Sequence, residues 1–183
     1  MDNKKAKNII SDNGRIKKMT KLIDAIKSGR NVFITGGAGT GKSYNLNKAI
    51  SFLEDNTDLQ IACTAMTGMA SLQFDDGGET LHRCLGIGIH KDVNDLGKIV
   101  NSFKFQKEKR WEIRAFDVLV VDEISMLRAD TLELIDALLK YVEENDKPFG
   151  GKQVVFSGDF MQLPPVVRRE ERLAATWAFE SPV

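Results

Sequence analysis

Short apolar runs alternate with amphipathic stretches along most of this chain. Four of the runs have the length and continuous hydrophobicity of buried strands, namely Asn31–Thr35, Leu59–Thr64, Phe116–Val121 and Gln153–Ser157. Strands that are apolar at consecutive positions are buried on both faces, which is typical of parallel sheets. The pattern therefore predicts an α/β domain with a mostly parallel sheet and helices on both faces.

Two of the amphipathic stretches predict helices with one buried face. The first follows a glycine cluster, and the second begins near Asp130, a predicted N-cap with Glu133 three residues later. The predicted buried positions are Leu46, Ala49, Ile50 and Leu53 in the first helix, and Leu132, Ile135, Leu139 and Val142 in the second. The segment KPFGG at 147–151 interrupts the chain before the next strand.

The region Gly86–Arg114 does not follow the alternation of strands and helices. From Lys91 onward it contains seven basic and four acidic residues, and we interpret it as a small basic insertion at the rim of the sheet. Its aromatic residues Phe103, Phe105 and Trp111 allow two interpretations. They pack inward in an amphipathic helix pair, or they stack on nucleic-acid bases while the lysines neutralise phosphates.

Composition narrows the class of protein without naming a partner. A chain of 183 residues with 42% hydrophobic composition suits one compact domain, and its 26 Lys+Arg balance its 26 Asp+Glu. Disordered, collagen-like, coiled-coil and membrane-spanning classes are excluded. There is no apolar signal-peptide core, and the two cysteines have neither metal-ligand nor disulfide spacing. We therefore expect an intracellular protein, in the cytoplasm, nucleoid or nucleus, that does not bind membranes.

The N-terminal region is strongly basic. Met1–Arg30 contains nine Lys/Arg and three Asp. A solvated basic arm over residues 1–15 that leads into a helix is our main interpretation, and contact with nucleic acid is the alternative. The folded domain is predicted over 16–183.

A phosphate-binding loop is the clearest chemical motif. Residues 36–43, GGAGTGKS, match G-x-x-x-x-G-K-[ST] at every fixed position, between a predicted strand and a predicted helix. The backbone N–H groups of such a loop and the helix N-terminus surround a phosphate. We predict that ATP is bound by Gly37, Ala38, Gly39, Thr40, Gly41, Lys42 and Ser43. Lys42 supplies charge to the β- and γ-phosphates, and the Ser43 hydroxyl is placed for Mg²⁺.

A second contributor to the magnesium site is predicted at the end of the third strand. There, four apolar residues precede Asp122 and Glu123. The carboxyl ends of parallel strands lie at the sheet edge that also carries the phosphate loop. Asp122 is predicted to hold Mg²⁺ through water, and Glu123 to orient and deprotonate the attacking water. A carboxylate base favours ATP hydrolysis, and a P-loop kinase of a small acceptor is the alternative.

Gln162 follows the fourth strand within GDFMQLPPV. Its side chain either reaches the γ-phosphate or caps the turn before Pro164-Pro165. The chemistry of the residues alone leaves both alternatives open.

Six segments occur in an order that matches one family. They are GGAGTGKS, TAMTGMAS (64–71), TLH (80–82), VVDEISM (120–126), KPFGG and GDFMQLPPV (158–166). From about Gly29 to Phe179 the chain resembles the Pif-one-like DNA helicases, 5′-to-3′ translocases of superfamily 1. The resemblance implies a RecA-like first motor domain that hydrolyses ATP and moves on single-stranded DNA. DNA repair, DNA recombination and telomere maintenance are roles associated with that family.

The resemblance also implies roles for individual residues. Lys42, Glu123 and Gln162 would be catalytic, with Gln162 sensing the γ-phosphate, and Ser43 and Asp122 would hold the metal. DNA-backbone contacts would be made by Thr64, Thr67, Gly68 and His82. The residues themselves also allow a core helix start at 66–74 and packing of His82 beside Leu81 and Leu85. A small wedge element that splits the duplex would lie around 86–114.

The chain departs from the family pattern in ways that change the expected activity. Met19 stands where related helicases carry a Gln that reads adenine, so adenine selectivity is not predicted. The Trp expected soon after Ser181 and the second RecA-like domain, with its arginine finger, are not in this sequence. Such a finger contributes roughly 10³–10⁵ in rate. We therefore expect this chain alone to be a monomeric helicase fragment that hydrolyses ATP very slowly and does not unwind duplex DNA. The alternative is a module that binds ATP or a partner without turnover.

Overall fold

A five-stranded parallel sheet organises the chain in the computed structural model, which describes residues 19–88, 92–102, 105–161 and 177–183. The strands are β1 Val32–Thr35, β2 Ile61–Ala65, β3 Glu79–Thr80, β4 Val118–Asp122 and β5 Gln153–Gly158. Their order is β1-β5-β4-β2-β3, and every pair is parallel. The predicted α/β architecture with a parallel sheet is confirmed.

The four predicted strands are all present, with ends shifted by at most two residues, whereas the short strand β3 was not predicted. The predicted arm at 1–15, Phe103 and Gln162 lie outside the described residues.

Seven helices flank the sheet within the described residues. They are α1 (19–27), α2 Lys42–Asn56, α3 Gly68–Ser71, α4 Leu81–Cys84, α5 Leu96–Val100, α6 Arg110–Ala115 and α7 Ala129–Glu143. Short 3-10 turns occur at Val93–Asp95, Ile124–Met126, Pro148–Gly151 and Ala178–Glu180, and a π-helical turn at Phe105–Lys109. In the described part of the chain, every helix is too short or too polar to cross a membrane.

Side chains of the central strands alternate between two hydrophobic cores. Val118 and Val120 of β4 pack with α1 and α2 on what we call the α2 face. Leu119 and Val121 pack with α4 to α7 on the α7 face. Because successive strand residues point to opposite faces, the continuous apolar run of β4 supplies both cores.

The two long helices bury the faces predicted for them. The four apolar residues predicted to be buried in each helix are buried, both in α2 and in α7. The predicted cap of α7 was wrong, because Arg128 is the N-cap residue and Asp130 lies in the first turn. The Asp130 carboxylate accepts hydrogen bonds from the Thr131 backbone N–H at 2.7 Å and from Nε of Arg128 at 2.9 Å, so it stabilises the helix start from within the helix.

The segment KPFGG packs against α7 rather than serving only as a chain break. The backbone N–H of Phe149 donates to the buried Asp136 carboxylate at 2.7 Å. A Cβ on Gly150, whose φ is +67°, would lie 2.5 Å from the Leu139 carbonyl oxygen. Glycine at this position therefore lets the turn approach the helix backbone.

The region 86–114 contributes to the core of the α7 face. Ile87, Ile99, Phe105 and Ile113 are buried in the same cluster as the α7 leucines, whereas Trp111 is 71% exposed. Of the aromatic side chains considered above, one of the two described thus packs inward and the other faces solvent. The wedge role stays a prediction.

Both cysteines are free thiols, as expected from their spacing. Cys63 lies in β2 and Cys84 in α4. Burial raises the pKa of each thiol to about 12, so both are protonated at neutral pH.

Candidate nucleotide site

The glycine-rich loop 36–43 connects β1 to α2 at the carboxyl edge of the sheet. Gly41 adopts a left-handed conformation, with φ 81° and ψ 27°, immediately before α2 begins at Lys42. The Lys42 ammonium donates to the carbonyl oxygens of Gly36 at 2.6 Å and Gly37 at 3.2 Å. The loop thus holds its own lysine next to the space enclosed by its backbone.

The end of β4 approaches the start of α2. The Ser43 hydroxyl donates to Oδ2 of Asp122 at 2.8 Å, although the two residues are 79 positions apart. The Glu123 backbone N–H donates to the other carboxylate oxygen of Asp122 at 2.9 Å. The buried Asp122 carboxylate is therefore fixed on both oxygens beside the phosphate loop. The two predicted metal ligands are brought together, as are the two parts of the predicted nucleotide site.

Glu123 turns sharply away from the strand. Its backbone is left-handed, with φ 58° and ψ 39°, and its side chain is half-buried. Burial raises the pKa of the Glu123 carboxyl, and the negative charges of Asp122 and Asp159 raise it further, while Lys42 acts in the opposite direction. A carboxylate with a raised pKa accepts a proton more readily than an ordinary one, which is what a general base requires.

Two residues at the site were not singled out from the sequence. The Asn45 amide donates to the Gly41 carbonyl at 2.6 Å and so supports the loop from the first turn of α2. Asp159, buried just after β5, accepts from the Met161 backbone N–H at 3.0 Å and contributes negative charge near Glu123. Asp159 lies in the GDFMQLPPV segment, which was a usable signal, whereas the sequence around Asn45 contained none.

The four residues expected to contact DNA are not equivalent in the structure. Thr64 is fully buried in β2, and its hydroxyl donates to the Val120 carbonyl at 2.6 Å. It therefore offers no surface to a ligand, and we leave it out of the DNA contacts proposed below. Thr67 is the N-cap of α3, where its hydroxyl accepts from the Ala70 backbone N–H, and Gly68 is exposed beside it.

His82 lies in α4, just beyond β3, and is half-buried. It borders a cavity of about 420 Å³, and the charged groups on the lining are Arg83, Glu108, Lys109 and Glu112. Burial lowers the pKa of the imidazole. Both the DNA contact and the packing alternative for His82 are compatible with this position.

A second cavity of about 420 Å³ lies between α1, β1 and the phosphate loop. Its lining combines apolar side chains such as Leu22 and Val32 with Thr40 and Lys42. Met19, for which the resemblance implies a Gln in related helicases, packs against the core of the α2 face.

Comparison with known proteins identifies the family. The model of the PIF1-like helicase family matches residues 13–181. This chain belongs to the PIF1-like helicases. Within the family, it is 43% identical over 164 residues to the ATP-dependent DNA helicase Pif1 of a Psychrobacter species, a match that covers 90% of this chain and 24% of the relative.

Solved structures of PIF1-like helicases have the same fold. The crystal structure of Pif1 helicase from Candida albicans superposes with a TM-score of 0.77 at 36% identity, and covers 90% of this chain and 36% of that one. Pif1 helicase from Bacteroides in complex with ADP-AlF3 and single-stranded DNA superposes with a TM-score of 0.76 at 34% identity, over 91% of this chain and 38% of that one. The expected family and the RecA-like P-loop fold are thereby confirmed. The chain spans about a quarter of the length of the curated relative described above.

Proposed function

We propose that this chain is the first motor domain of a 5′-to-3′ DNA helicase. It binds ATP with Mg²⁺, hydrolyses it, and moves along single-stranded DNA together with a second RecA-like domain. The observation that carries the nucleotide part of this proposal is the 2.8 Å hydrogen bond between Ser43 and Asp122, next to Lys42 in the phosphate loop. The movement on DNA and its direction rest on the family resemblance. The structure of the Bacteroides Pif1 helicase with ADP-AlF3 and single-stranded DNA supports both ligands.

The residues present at the site suit Mg²⁺. Mg²⁺ prefers oxygen ligands, keeps several waters, and is held by one or two protein groups together with substrate phosphates. The Ser43 hydroxyl and the Asp122 carboxylate are oxygen donors of this kind, and they are already in contact with each other. When bound, the metal would neutralise charge on the β- and γ-phosphate oxygens.

The chain's own residues supply binding and proton transfer. The backbone N–H groups of the loop surround the phosphates, and Lys42 exchanges its contacts with the Gly36 and Gly37 carbonyls for the phosphate oxygens. Glu123 accepts a proton from the attacking water, for which its raised pKa suits it. Gln162 senses the γ-phosphate in this proposal, which rests for that residue on the family resemblance.

The proposed DNA path lies at the same sheet edge as the nucleotide site but over different strands. Thr67 and Gly68 follow β2, and His82 follows β3, whereas the phosphate loop follows β1. Small residues at such turns let backbone N–H groups approach DNA phosphates closely. ATP and DNA would therefore both contact the carboxyl edge of the sheet, ATP near β1 and DNA near β2 and β3.

The test is ATP hydrolysis by the purified chain, with and without single-stranded DNA, compared with Glu123→Gln. We expect slow hydrolysis by the isolated chain that increases with DNA. The Glu123→Gln chain should retain nucleotide affinity and lose roughly 10²–10⁴-fold in rate, the usual contribution of a general base.

Equal rates for the two proteins would contradict the role of Glu123, and a rate insensitive to DNA would contradict the motor function. Robust duplex unwinding by the isolated chain would contradict the need for a second domain.

A second experiment tests whether 86–114 contacts DNA. Charge reversal at Lys104, Lys107 and Lys109 should weaken single-strand binding and reduce its salt dependence, because each lost phosphate contact removes about 0.7 from the slope of log K against log salt. Lys48→Glu, on exposed α2 surface, is the control. Unchanged affinity and slope in the triple variant would show that this region has only a structural role.

A further inference from the structure

Ser157 has an unusual combination of burial and missing hydrogen bonds. It lies in β5, is completely buried, and its hydroxyl oxygen has no hydrogen-bond partner within the described residues. A buried hydroxyl without a partner is destabilising, because it has lost its water without replacement. Buried polar side chains in native proteins are almost always bonded, so an exception of this kind points to a function.

Sheet register places Ser157 beside Asp122. Ser157 pairs with Ile34 of β1, and Phe156 pairs with Val121 of β4, so the next position along brings Ser157 next to Asp122. These residues form one row across the carboxyl edge of the sheet, between the strand of the phosphate loop and the strand of the predicted metal ligand.

Strand parity directs the Ser157 side chain toward the nucleotide site. Val155, two residues earlier, packs on the α2 face, and side chains two apart in a strand share a face. Asp122 lies on the same face for the same reason, two residues after Val120, and its contact with Ser43 at the start of α2 shows this directly. The unpartnered hydroxyl therefore lies below the phosphate loop, beside a carboxylate.

Asp122 has room for a further donor. One of its oxygens accepts from Ser43 and the other from the Glu123 backbone N–H. An ionised carboxylate has about four lone-pair sites, so two remain. Hydrogen bonds to a charged acceptor are also stronger than those between neutral groups.

We propose that Ser157 is a positioning residue of the nucleotide site, whose hydroxyl donates to the Asp122 carboxylate when the metal–nucleotide complex is bound. Ser157 acts through Asp122 and does not itself touch the phosphates. The inference rests on the proposed function, because it requires Asp122 to hold the metal. The Ser157 hydroxyl has no hydrogen bond to the described residues in the protein without nucleotide and gains one when the metal–nucleotide complex binds. This new hydrogen bond would stabilise the position that Asp122 takes when it holds the metal.

The experiment separates metal-dependent from metal-free binding. Affinity of the full chain for a fluorescent N-methylanthraniloyl ATP is measured in EDTA and during titration with Mg²⁺, and thermal unfolding is recorded without nucleotide. Ser157→Ala removes the hydroxyl, and Ser157→Cys keeps the volume but hydrogen-bonds only weakly.

We expect both variants to require about tenfold more Mg²⁺ for half-maximal binding, the loss of one hydrogen bond to a charged group. Their affinity in EDTA should be unchanged, and their unfolding temperature without nucleotide should be equal to or above that of the wild type, since no bond of the empty protein is removed. Thr57→Val is the matched control, because it deletes a hydroxyl that is bonded to the Leu53 carbonyl at the opposite end of α2. It should lower the unfolding temperature without changing the Mg²⁺ requirement.

Three results would overturn the role of Ser157: an unchanged Mg²⁺ requirement in both variants, an effect of Ala without an effect of Cys, or equal losses with and without metal. The first excludes the hydrogen bond, the second indicates packing volume, and the third indicates a general structural defect. Failure of the wild-type chain to bind the nucleotide with Mg²⁺ would instead contradict the proposed function itself.

Discussion

The two faces of the sheet are built by the same strands but differ at the carboxyl edge. On the α7 face, apolar side chains such as Val121 and Ile124 continue to the ends of β4 and the turn beyond it. On the α2 face, the apolar rows of β4 and β5 end in polar residues, with Asp122 after Val120 and Ser157 after Val155. In β4 and β5, one position at the end of the strand thus separates the apolar α7 face from the α2 face, which carries the candidate chemistry in addition to its own core.

The sharpest test of this difference is Lys42→Ala on the α2 face. Loss of the ammonium should weaken binding of Mg²⁺–ATP by about 10²–10⁴-fold, the value of two charge-assisted hydrogen bonds to phosphate. Stability should change little, because the hydrogen bonds of the Lys42 ammonium to described residues go to carbonyls of its own loop. Titration calorimetry and urea unfolding measure the two quantities. Lys48→Ala in the same helix is the control. If Lys42→Ala bound Mg²⁺–ATP with wild-type affinity, the α2 face would not carry the nucleotide site.

The converse change is Leu138→Ala on the α7 face. Leu138 is fully buried in α7, so truncation should lower the free energy of unfolding by about 2–5 kcal/mol. Nucleotide affinity of the folded protein should be retained. Urea unfolding measures the loss, and Leu72→Ala, at an exposed leucine, should change it by less than about 0.5 kcal/mol. A large loss of nucleotide affinity in folded Leu138→Ala would show that the two faces are coupled.

A smaller effect is expected at the amino edge of β5. The Gln153 amide donates to the carbonyls of Ile26 at 3.0 Å and Arg30 at 2.5 Å, which ties the end of α1 to the sheet. Gln153→Met leaves both carbonyls without this donor and should cost about 1–3 kcal/mol of stability without altering nucleotide binding. Exposed Gln60→Met is the matched control. Reduced nucleotide affinity in Gln153→Met would extend the functional region beyond the carboxyl edge.

The smallest expected effect is a pH dependence from His82. Burial holds the pKa of His82 below its ordinary value in the folded chain, so the unfolded chain takes up the proton first as pH falls. Stability should therefore decrease as pH drops below about 6.5 and level off below the folded pKa. His82→Gln should flatten urea-unfolding free energies between pH 7.5 and 5. His90→Gln is the comparison, and an unaltered slope in His82→Gln would place the pH dependence elsewhere.

Much of the fold and of the nucleotide site could be predicted because the signals are local. Continuous apolar runs marked four strands, and the phosphate loop between a strand and a helix fixed the position of Lys42 and Ser43. The meeting of Ser43 with Asp122 followed from a rule of topology, since parallel strands carry their carboxyl ends to one edge.

The remaining features depend on contacts between distant residues. Strand β3 is two residues long and has no periodicity to detect. From the sequence, Thr64 is expected at the surface because it is polar. In the structure it is buried, because its hydroxyl donates a hydrogen bond to the Val120 carbonyl of the neighbouring strand. Asp130 has a side chain typical of an N-cap, but Arg128 occupies the N-cap position of α7. The sequence around Ser157 does not indicate that its buried hydroxyl lacks a hydrogen-bond partner among the described residues.

The strand order has a consequence for biosynthesis. Among the strands of the described residues, β5 is the last to leave the ribosome, yet it lies between β1 and β4, the two strands that carry Lys42 and Asp122 to the site. Until residues 153–158 have emerged, a nascent chain has no strand to join these halves. The contact between Ser43 and Asp122 therefore has to wait for the translation of β5, although both residues precede that strand in the sequence.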